Sequence, residues 1–396
     1  MKELSQKFGR IAPSMTLAIT AKAKQLKAEG HDIVSFGAGE PDFNTPEFIR
    51  KVAIDRINIG GIGYTDASGM PDLKKAVCEK LLKDNRLTYE PNQIVCSNGA
   101  KHSLSNAILA VSNPGDEILV PSPFWVSYEE LVKMAGAVPV IVDSDPAKQF
   151  KVTPCALRAA ITPKTKAIIL NSPNNPTGSV YTKDELKAIG EVCTEADLYI
   201  ISDEIYEKLV YGVEHVSIAS LSDDLYRRTI VINGLSKAYA MTGWRLGYSA
   251  SSPEIAKMMS NIQSHETSNP NTISQYAAVE ALRGDQTPIE EMRVQFDQRR
   301  LFMMKKLDEI QGITYVKPDG AFYIMVDVSG TYGAHTGFNG SIDFAAKLLE
   351  DEKVAVVPGI AFGVDKYIRL SYATSIELID KGLTRIKKFI ESLPEK

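Results

Sequence analysis

Seven short runs rich in apolar residues, beginning near Ile94, Glu117, Val138, Lys166, Leu198, Thr229 and Leu246, punctuate the middle of this chain. Helical patterns separate most of them. After Lys101, for instance, Leu104, Ile108 and Val111 recur at i, i+4 and i+7, on one face of a helix. Near-continuous apolar strands alternating with helices imply a mainly parallel sheet covered on both faces. The pattern changes after about residue 285. A long charged helix, roughly Glu290 to Asp308, leads to strand-like runs near Ile313, Ala321, Val354 and Tyr367, and an amphipathic helix follows from about Ile376. The expected fold is therefore an α/β domain with a smaller α+β domain after it, and 396 residues are ample for both.

The bulk properties narrow the function classes. A net charge of -4 gives no reason to expect nucleic acid or acidic membranes as partners. No apolar stretch is long enough to span a bilayer, and Met1-Lys2-Glu3-Leu4-Ser5 lacks the apolar core of a signal peptide. Cys78, Cys96, Cys155 and Cys193 are scattered without CxxC spacing, as expected of reduced thiols in a cytoplasmic protein. His31, His102, His215, His265 and His335 show no metal-ligand spacing, so no metal is expected. Gly37-Ala38-Gly39-Glu40-Pro41-Asp42 is a tight turn, but it lacks the third glycine of a dinucleotide-binding GxGxxG.

Three polar segments follow apolar runs. Thr229-Ile230-Val231-Ile232-Asn233 leads into Ser236-Lys237-Ala238-Tyr239-Ala240-Met241-Thr242-Gly243-Trp244-Arg245. A lysine just past a buried strand loses solvation, which lowers its pKa and frees its amine as a nucleophile. Arg245 is a fixed cation suited to a phosphate. A nucleophilic amine near a phosphate anchor is what pyridoxal 5'-phosphate (PLP) requires. Leu198-Tyr199-Ile200-Ile201 ends in Ser202-Asp203-Glu204-Ile205-Tyr206. Asp203 suits the protonated pyridine nitrogen of PLP and Tyr206 its phenolic oxygen, although a strand-end Asp also commonly caps a turn. Lys166-Ala167-Ile168-Ile169-Leu170 leads into Asn171-Ser172-Pro173-Asn174-Asn175-Pro176-Thr177-Gly178, a rigid turn in which Asn175 can present its amide to that same oxygen. Taken singly, the Lys237 segment divides evenly between the PLP reading and a solvated charge, Asp203 reads better as a strand-end turn cap, and the Asn175 segment reads also as an ordinary strand-to-helix loop. All three, however, sit at C-terminal strand ends, where open α/β sheets bind ligands.

Together these motifs resemble the class I aminotransferases of PLP fold type I, and more narrowly the bacterial-type aspartate aminotransferase subgroup. The likeness runs from Pro13-Ser14-Met15-Thr16 to Arg369-Leu370-Ser371-Tyr372-Ala373-Thr374. It implies a seven-stranded sheet in a large PLP-binding domain, 36–284, and a discontinuous small domain, 1–35 with 285–396. It also implies a homodimer whose active sites are shared across the interface, with Tyr64 reaching the neighbouring subunit's cofactor phosphate. Lys237 would be the catalytic lysine, assisted by Asp203 and Tyr206.

Further residues extend the set. Gly99-Ala100-Lys101 opens a helix after a strand, and backbone N–H groups there suit the PLP phosphate. By resemblance Trp125 stacks on the pyridine ring and Gly39 lines the substrate side. Arg369 lies inside the apolar run Tyr367-Ile368-Arg369-Leu370-Ser371, where an arginine is costly unless paired. The partner is either an internal acid or, as the resemblance implies, a substrate α-carboxylate that Asn175 also contacts. No arginine stands in Ile262-Gln263-Ser264-His265-Glu266-Thr267, before Ser268-Asn269-Pro270, to read a side-chain carboxylate as in the animal-type enzymes. Lys101 takes that role in the bacterial-type subgroup. One departure is Gly234, where many relatives carry a phosphate-bonding serine. Ser236 is a cofactor-binding candidate but does not occupy the same place. The expected activity is ping-pong transfer of the amino group of L-aspartate to 2-oxoglutarate. Prephenate or aromatic aminotransferase activity, a carbon–sulfur lyase, and a PLP fold without turnover are the alternatives.

Overall fold

The computed structural model describes residues 3–5 and 8–394. Helix α1 (Met15–Ala28) and a two-residue strand β1 (Val34–Ser35) precede helices α2 (Glu47–Ile59) and α3 (Pro71–Asn85). The large sheet follows as β2 (Ile94–Ser97), β3 (Glu117–Pro121), β4 (Val138–Val142), β5 (Thr165–Asn171), β6 (Tyr199–Asp203), β7 (Thr229–Gly234) and β8 (Gly247–Ala250). Helices α4 (Ala100–Val111), α5 (Ser127–Ala135), α6 (Pro154–Ala160), α7 (Lys183–Glu195) and α8 (Asp223–Arg228) fill the connections. The strand order is β2-β8-β7-β6-β5-β3-β4, and only the pairs made by β8 are antiparallel.

The sheet is apolar on both faces because both faces are covered. On β5, Ala167 and Ile169 join one core with Leu104, Ile108 and Val132, whereas Ile168 and Leu170 join another with Leu186 and Ile189. Neighbouring β6 repeats the division, with Ile201 in the first core and Ile200 in the second. The two-residue side-chain period thus loads both layers. Capping is local and legible: Thr182 and Glu185 form a reciprocal capping box at the start of α7.

Helices α9 (Pro253–Glu266), α10 (Thr272–Arg283) and α11 (Thr287–Leu307) lead to the second sheet. Beyond them lie β9 (Thr314–Val316), β10 (Tyr323–Asp327), α12 (Ser341–Glu352), β11 (Val354–Ala355), β12 (Val357–Pro358), β13 (Tyr367–Ser371) and α13 (Ile376–Ser392). An antiparallel sheet runs β12-β13-β10-β9. The apolar run near Val354 serves two sheets. Val354–Ala355 pairs in parallel with β1, while Val357–Pro358 pairs with β13. The run near Ala321 starts its strand two residues later than the sequence suggested, because Ala321 has φ +55° and its N–H is taken by Leu209 O at 2.8 Å. Val34 and Phe36, early in the chain, join the core of the second sheet with Phe344, Val354 and Leu383.

Ile201 is fully buried at the centre of the large sheet. Ile201→Ala is expected to cost about 2–5 kcal/mol through lost transfer energy and a residual cavity. Urea titration of parent and variant measures it. A loss under about 0.5 kcal/mol would contradict a close-packed sheet centre.

Candidate active site

Parallel register sets the ends of β5, β6 and β7 side by side: Asn171 opposes Asp203, and Asp203 opposes Ile232. The loops leaving these strands carry Asn175, Asp203, Tyr206, Ser236, Lys237 and Arg245 to one cavity of about 670 Å³. Gly39, Ala100, Lys101, Trp125 and Arg369 line it as well. Two residues singled out from the sequence lie off its wall. Gly99 sits behind Arg245, and Tyr64 is 92% exposed on the surface.

Lys237 donates from Nζ to Gly39 O at 2.6 Å. Burial pushes its pKa down to about 8, so a substantial fraction of the amine is neutral in mildly alkaline solution. Asp203 is buried and accepts from the Tyr128 hydroxyl at 2.6 Å and from the Ile205 N–H at 3.2 Å. Burial outweighs those bonds and pushes its carboxyl up to about 6. A cation set against this carboxylate would restore its charge, and a protonated pyridine nitrogen is such a cation. Tyr206 shares a hydrogen bond of 2.9 Å with Tyr323, hydroxyl to hydroxyl.

Arg369 is 2% exposed and has no carboxylate partner among the described residues. Its Nη1 donates to Asn175 Oδ1 at 3.0 Å and its Nη2 to Gly37 O at 3.1 Å. The guanidinium carbon lies 4.2 Å from the centre of the Tyr323 ring. Nε is buried with no hydrogen-bond partner. The internal salt bridge that would have explained this arginine is therefore missing, and a buried donor is left for an incoming anion. Lys101 extends its ammonium to 4.8 Å from the centre of the Trp125 indole.

Where α4 begins, the Gly99 N–H is given to Ser97 O at 2.7 Å, which leaves the Ala100 and Lys101 amides suited to an anion. The first amides of a helix have no intrahelical acceptor and point at whatever lies before them. Gly99 has φ +86°, and a side chain there would collide with the Arg245 guanidinium. Arg245 donates to Thr242 O at 2.9 Å and to Asn98 O at 3.3 Å. Close packing also accounts for Gly234. It pairs with Gly247, and a Cβ there would lie 2.9 Å from Gly247 Cα and 3.0 Å from Leu246 O. A side chain at this position would need backbone to move, and Ser236 lines the cavity two residues on.

Sequence reasoning missed three supporting side chains. Tyr128 holds Asp203, Tyr323 links Tyr206 to Arg369, and Asn171 donates to Asp203 O at 2.9 Å while accepting the Asn175 N–H at 2.9 Å. Tyr128 stands three residues after Trp125, but no local pattern pairs it with a residue 75 positions away. Behind the site, Glu204 and Glu207 face away from the cavity. Glu204 accepts from Ser202 Oγ at 2.9 Å and Ser217 Oγ at 2.7 Å, with His215 Nε2 at 3.2 Å. Glu207 binds the buried Lys80 ammonium and accepts from Asn85 Nδ2 at 2.7 Å. Burial raises the Glu207 carboxyl, but Lys80 and His215 overcome it and hold it at about 2.

A glycine-opened anion cradle, a lysine of lowered pKa, a buried aspartate wanting a cation and an unpaired buried arginine fit PLP together with an amino-acid carboxylate. The fold and this site define a fold type I transferase, the class that works with PLP. Residues 31–386 match the family model for aminotransferase class I and II. The chain is 50% identical over 390 residues to the aspartate aminotransferase of Bacillus subtilis, covering 98% of this chain and 99% of that one. It is 46% identical to a probable aspartate/prephenate aminotransferase of Aquifex aeolicus, over 99% of this chain and 100% of the other. The solved aspartate aminotransferase of Rhizobium meliloti superposes with a TM-score of 0.95 at 40% identity, covering 99% of this chain and all of that one. A Thermus thermophilus aspartate aminotransferase with maleate gives 0.93 at 40% identity, over 98% and 100%. The chain belongs to the class I and II aminotransferase family, and it is an aminotransferase.

The Asp203 carboxyl, held near 6 instead of 3.8, carries a stability cost. Between those values the unfolded chain has released a proton that the folded chain keeps, so stability falls as pH rises through that window. Asp203→Asn cannot ionise. In the cofactor-free protein it is expected to be more stable than the parent above about pH 6, by up to about 3 kcal/mol, while binding PLP more weakly. Thermal unfolding at about pH 5 and about pH 7.5 checks it. The same difference at both values would mean that Asp203 bears no such cost.

Proposed function

We propose that this aminotransferase uses PLP to move the amino group of L-aspartate to 2-oxoglutarate. The observation that carries the reading is Arg369, a buried arginine without an acid, opening on the same cavity as Lys237. When bound, PLP supplies an electron sink that makes the α-proton of an amino acid labile. The chain's own groups do the rest. The amides of Ala100 and Lys101, with Ser236 and Arg245, would hold the phosphate, and Gly99, whose own N–H is given to Ser97 O at 2.7 Å, would make room for Arg245 beside it. Trp125 would cover the ring, Asp203 would keep its nitrogen protonated, and Asn175 and Tyr206 would engage its oxygen. Lys237, neutral above about pH 8, is the base that takes the α-proton and returns it.

Substrate binding divides between two cations. Arg369 takes the α-carboxylate as a bidentate partner, and the buried Nε gains an acceptor. Lys101 takes the side-chain carboxylate of aspartate, and Gly39 borders the substrate. Relatives named for both aspartate and prephenate support prephenate as a second acceptor.

Residues 36–284 are read as the PLP-binding domain, and 1–35 with 285–396 as a discontinuous small domain. The pairing of β1 with β11 supports that division. A homodimer is inferred, with Tyr64 of one copy reaching the cofactor phosphate of the other. Its 92% exposure, and that of Ile57 (55%) and Ile59 (74%) nearby in sequence, supports a covered face. No helix is long and apolar enough to cross a membrane, and four free cysteines support a reducing cytoplasm.

Lys237→Ala is expected to abolish transamination and to replace the absorbance band of the lysine–PLP Schiff base with that of the unlinked aldehyde, and near-parental turnover in that variant would sink the assignment. Lys101→Ala is expected to lose at least about tenfold more kcat/KM with aspartate than with phenylalanine, since one charge pair is worth on the order of 1–3 kcal/mol. Equal losses would remove Lys101 from substrate selection.

A further inference from the structure

Helix α1 carries Lys22, Lys24 and Lys27 and no acid between Met15 and Ala28. Lys24 and Lys27 are exposed, and their ammonium groups make no ion pair or hydrogen bond among the described residues. Both line the cavity that holds Lys237 and Arg369. Ala23, Ile33, Val34, Thr374 and Leu378 line it too, so the cavity extends from Arg369 to these lysines along a largely apolar wall.

The charge balance of that cavity is lopsided. Its wall bears six basic side chains, Lys24, Lys27, Lys101, Lys237, Arg245 and Arg369, against Glu40 and Asp203, in a chain of net charge -4. Bound PLP would engage Lys237 and Arg245, and two substrate carboxylates would engage Lys101 and Arg369. Lys24 and Lys27 are left without a counter-charge. The helix dipole accounts for a cation in the last turn, where Lys27 lies, but gives no reason for Lys24 beside it.

We propose that Lys24 and Lys27 form a cationic lip that concentrates doubly charged acids at the cavity and sharpens its preference for dicarboxylates over monocarboxylates. The inference rests on the acidic-substrate reading above. Its physical basis is the charge dependence of enrichment. Over a low-dielectric wall the field of two unpaired ammonium groups is focused into the cleft. A potential that enriches a monoanion by some factor enriches a dianion by that factor squared. Added salt erases the effect once the screening length falls below the length of the cavity.

The test measures dissociation constants of maleate and of 3-phenylpropionate on the PLP-bound protein at about pH 8, in about 20 mM and about 300 mM salt. Lys24→Ala/Lys27→Ala is expected to weaken maleate about tenfold at low salt and 3-phenylpropionate about threefold, and to flatten the salt dependence for maleate. Lys24→Glu/Lys27→Glu is expected to deepen both losses in the same proportion. If the parent prefers maleate and both variants keep its affinities and salt dependence, the lip is overturned and the acidic-substrate reading stands. If the parent itself shows no preference for maleate at either salt concentration, that reading fails and takes the lip with it.

Discussion

In-register parallel pairing of β5, β6 and β7 is the constraint from which the site follows. Because Asn171 faces Asp203 and Asp203 faces Ile232, three loops that are distant in sequence leave the sheet at one edge and in one direction. Asn171 then ties two of them together, bonding Asp203 O with its amide nitrogen and the Asn175 N–H with its oxygen. A slip of one residue in this register would turn Asp203 into the packed layer and Glu204 toward the cavity. The buried anchors of Glu204 and Glu207 on the far side oppose such a slip, since each acid would lose its partners.

The site is assembled from groups that are each costly to bury. Asp203 is forced toward the protonated form, Lys237 toward the neutral form, and Arg369 keeps a donor unpaired. Each cost is one that a ligand group of opposite character, a ring cation or a carboxylate, would relieve. The apolar cores on both sheet faces supply the stability against which these costs are set. Destabilisation in the free protein and affinity for ligand are thus two sides of one arrangement.

Much of this was legible in the sequence, for identifiable reasons. Strands buried on both faces write continuous apolar runs, so the seven strands of the large sheet began within a residue of where the runs do. Asn175, Asp203 and Lys237 were readable because strand-end loops of a parallel sheet converge, whatever their spacing. Second-layer contacts were not readable. Tyr206 and Tyr323 meet across 117 positions, and no local pattern records such a meeting. Nor does apolarity say which partner a strand takes, so one run near Val354 conceals two strands in two sheets. Gly234 was read as a departure that puts one phosphate contact in doubt, and the backbone adds a reason for the glycine, since a side chain there would press on β8.

The short segment from Val34 to Glu40 is fastened at both ends. Its first residues pair with β11, and Phe36 O accepts the Ser371 N–H at 2.9 Å beside Arg369. Gly37 O accepts from Arg369, and two residues later Gly39 O holds the Lys237 amine. The segment is therefore a short cord fastened to the strand pairing at one end, with the Lys237 amine held near its other end and the Arg369 guanidinium at its middle. Only Ala38 separates the carbonyl that holds Arg369 from the one that holds Lys237, so the positions of the two cations are set by one stretch of backbone.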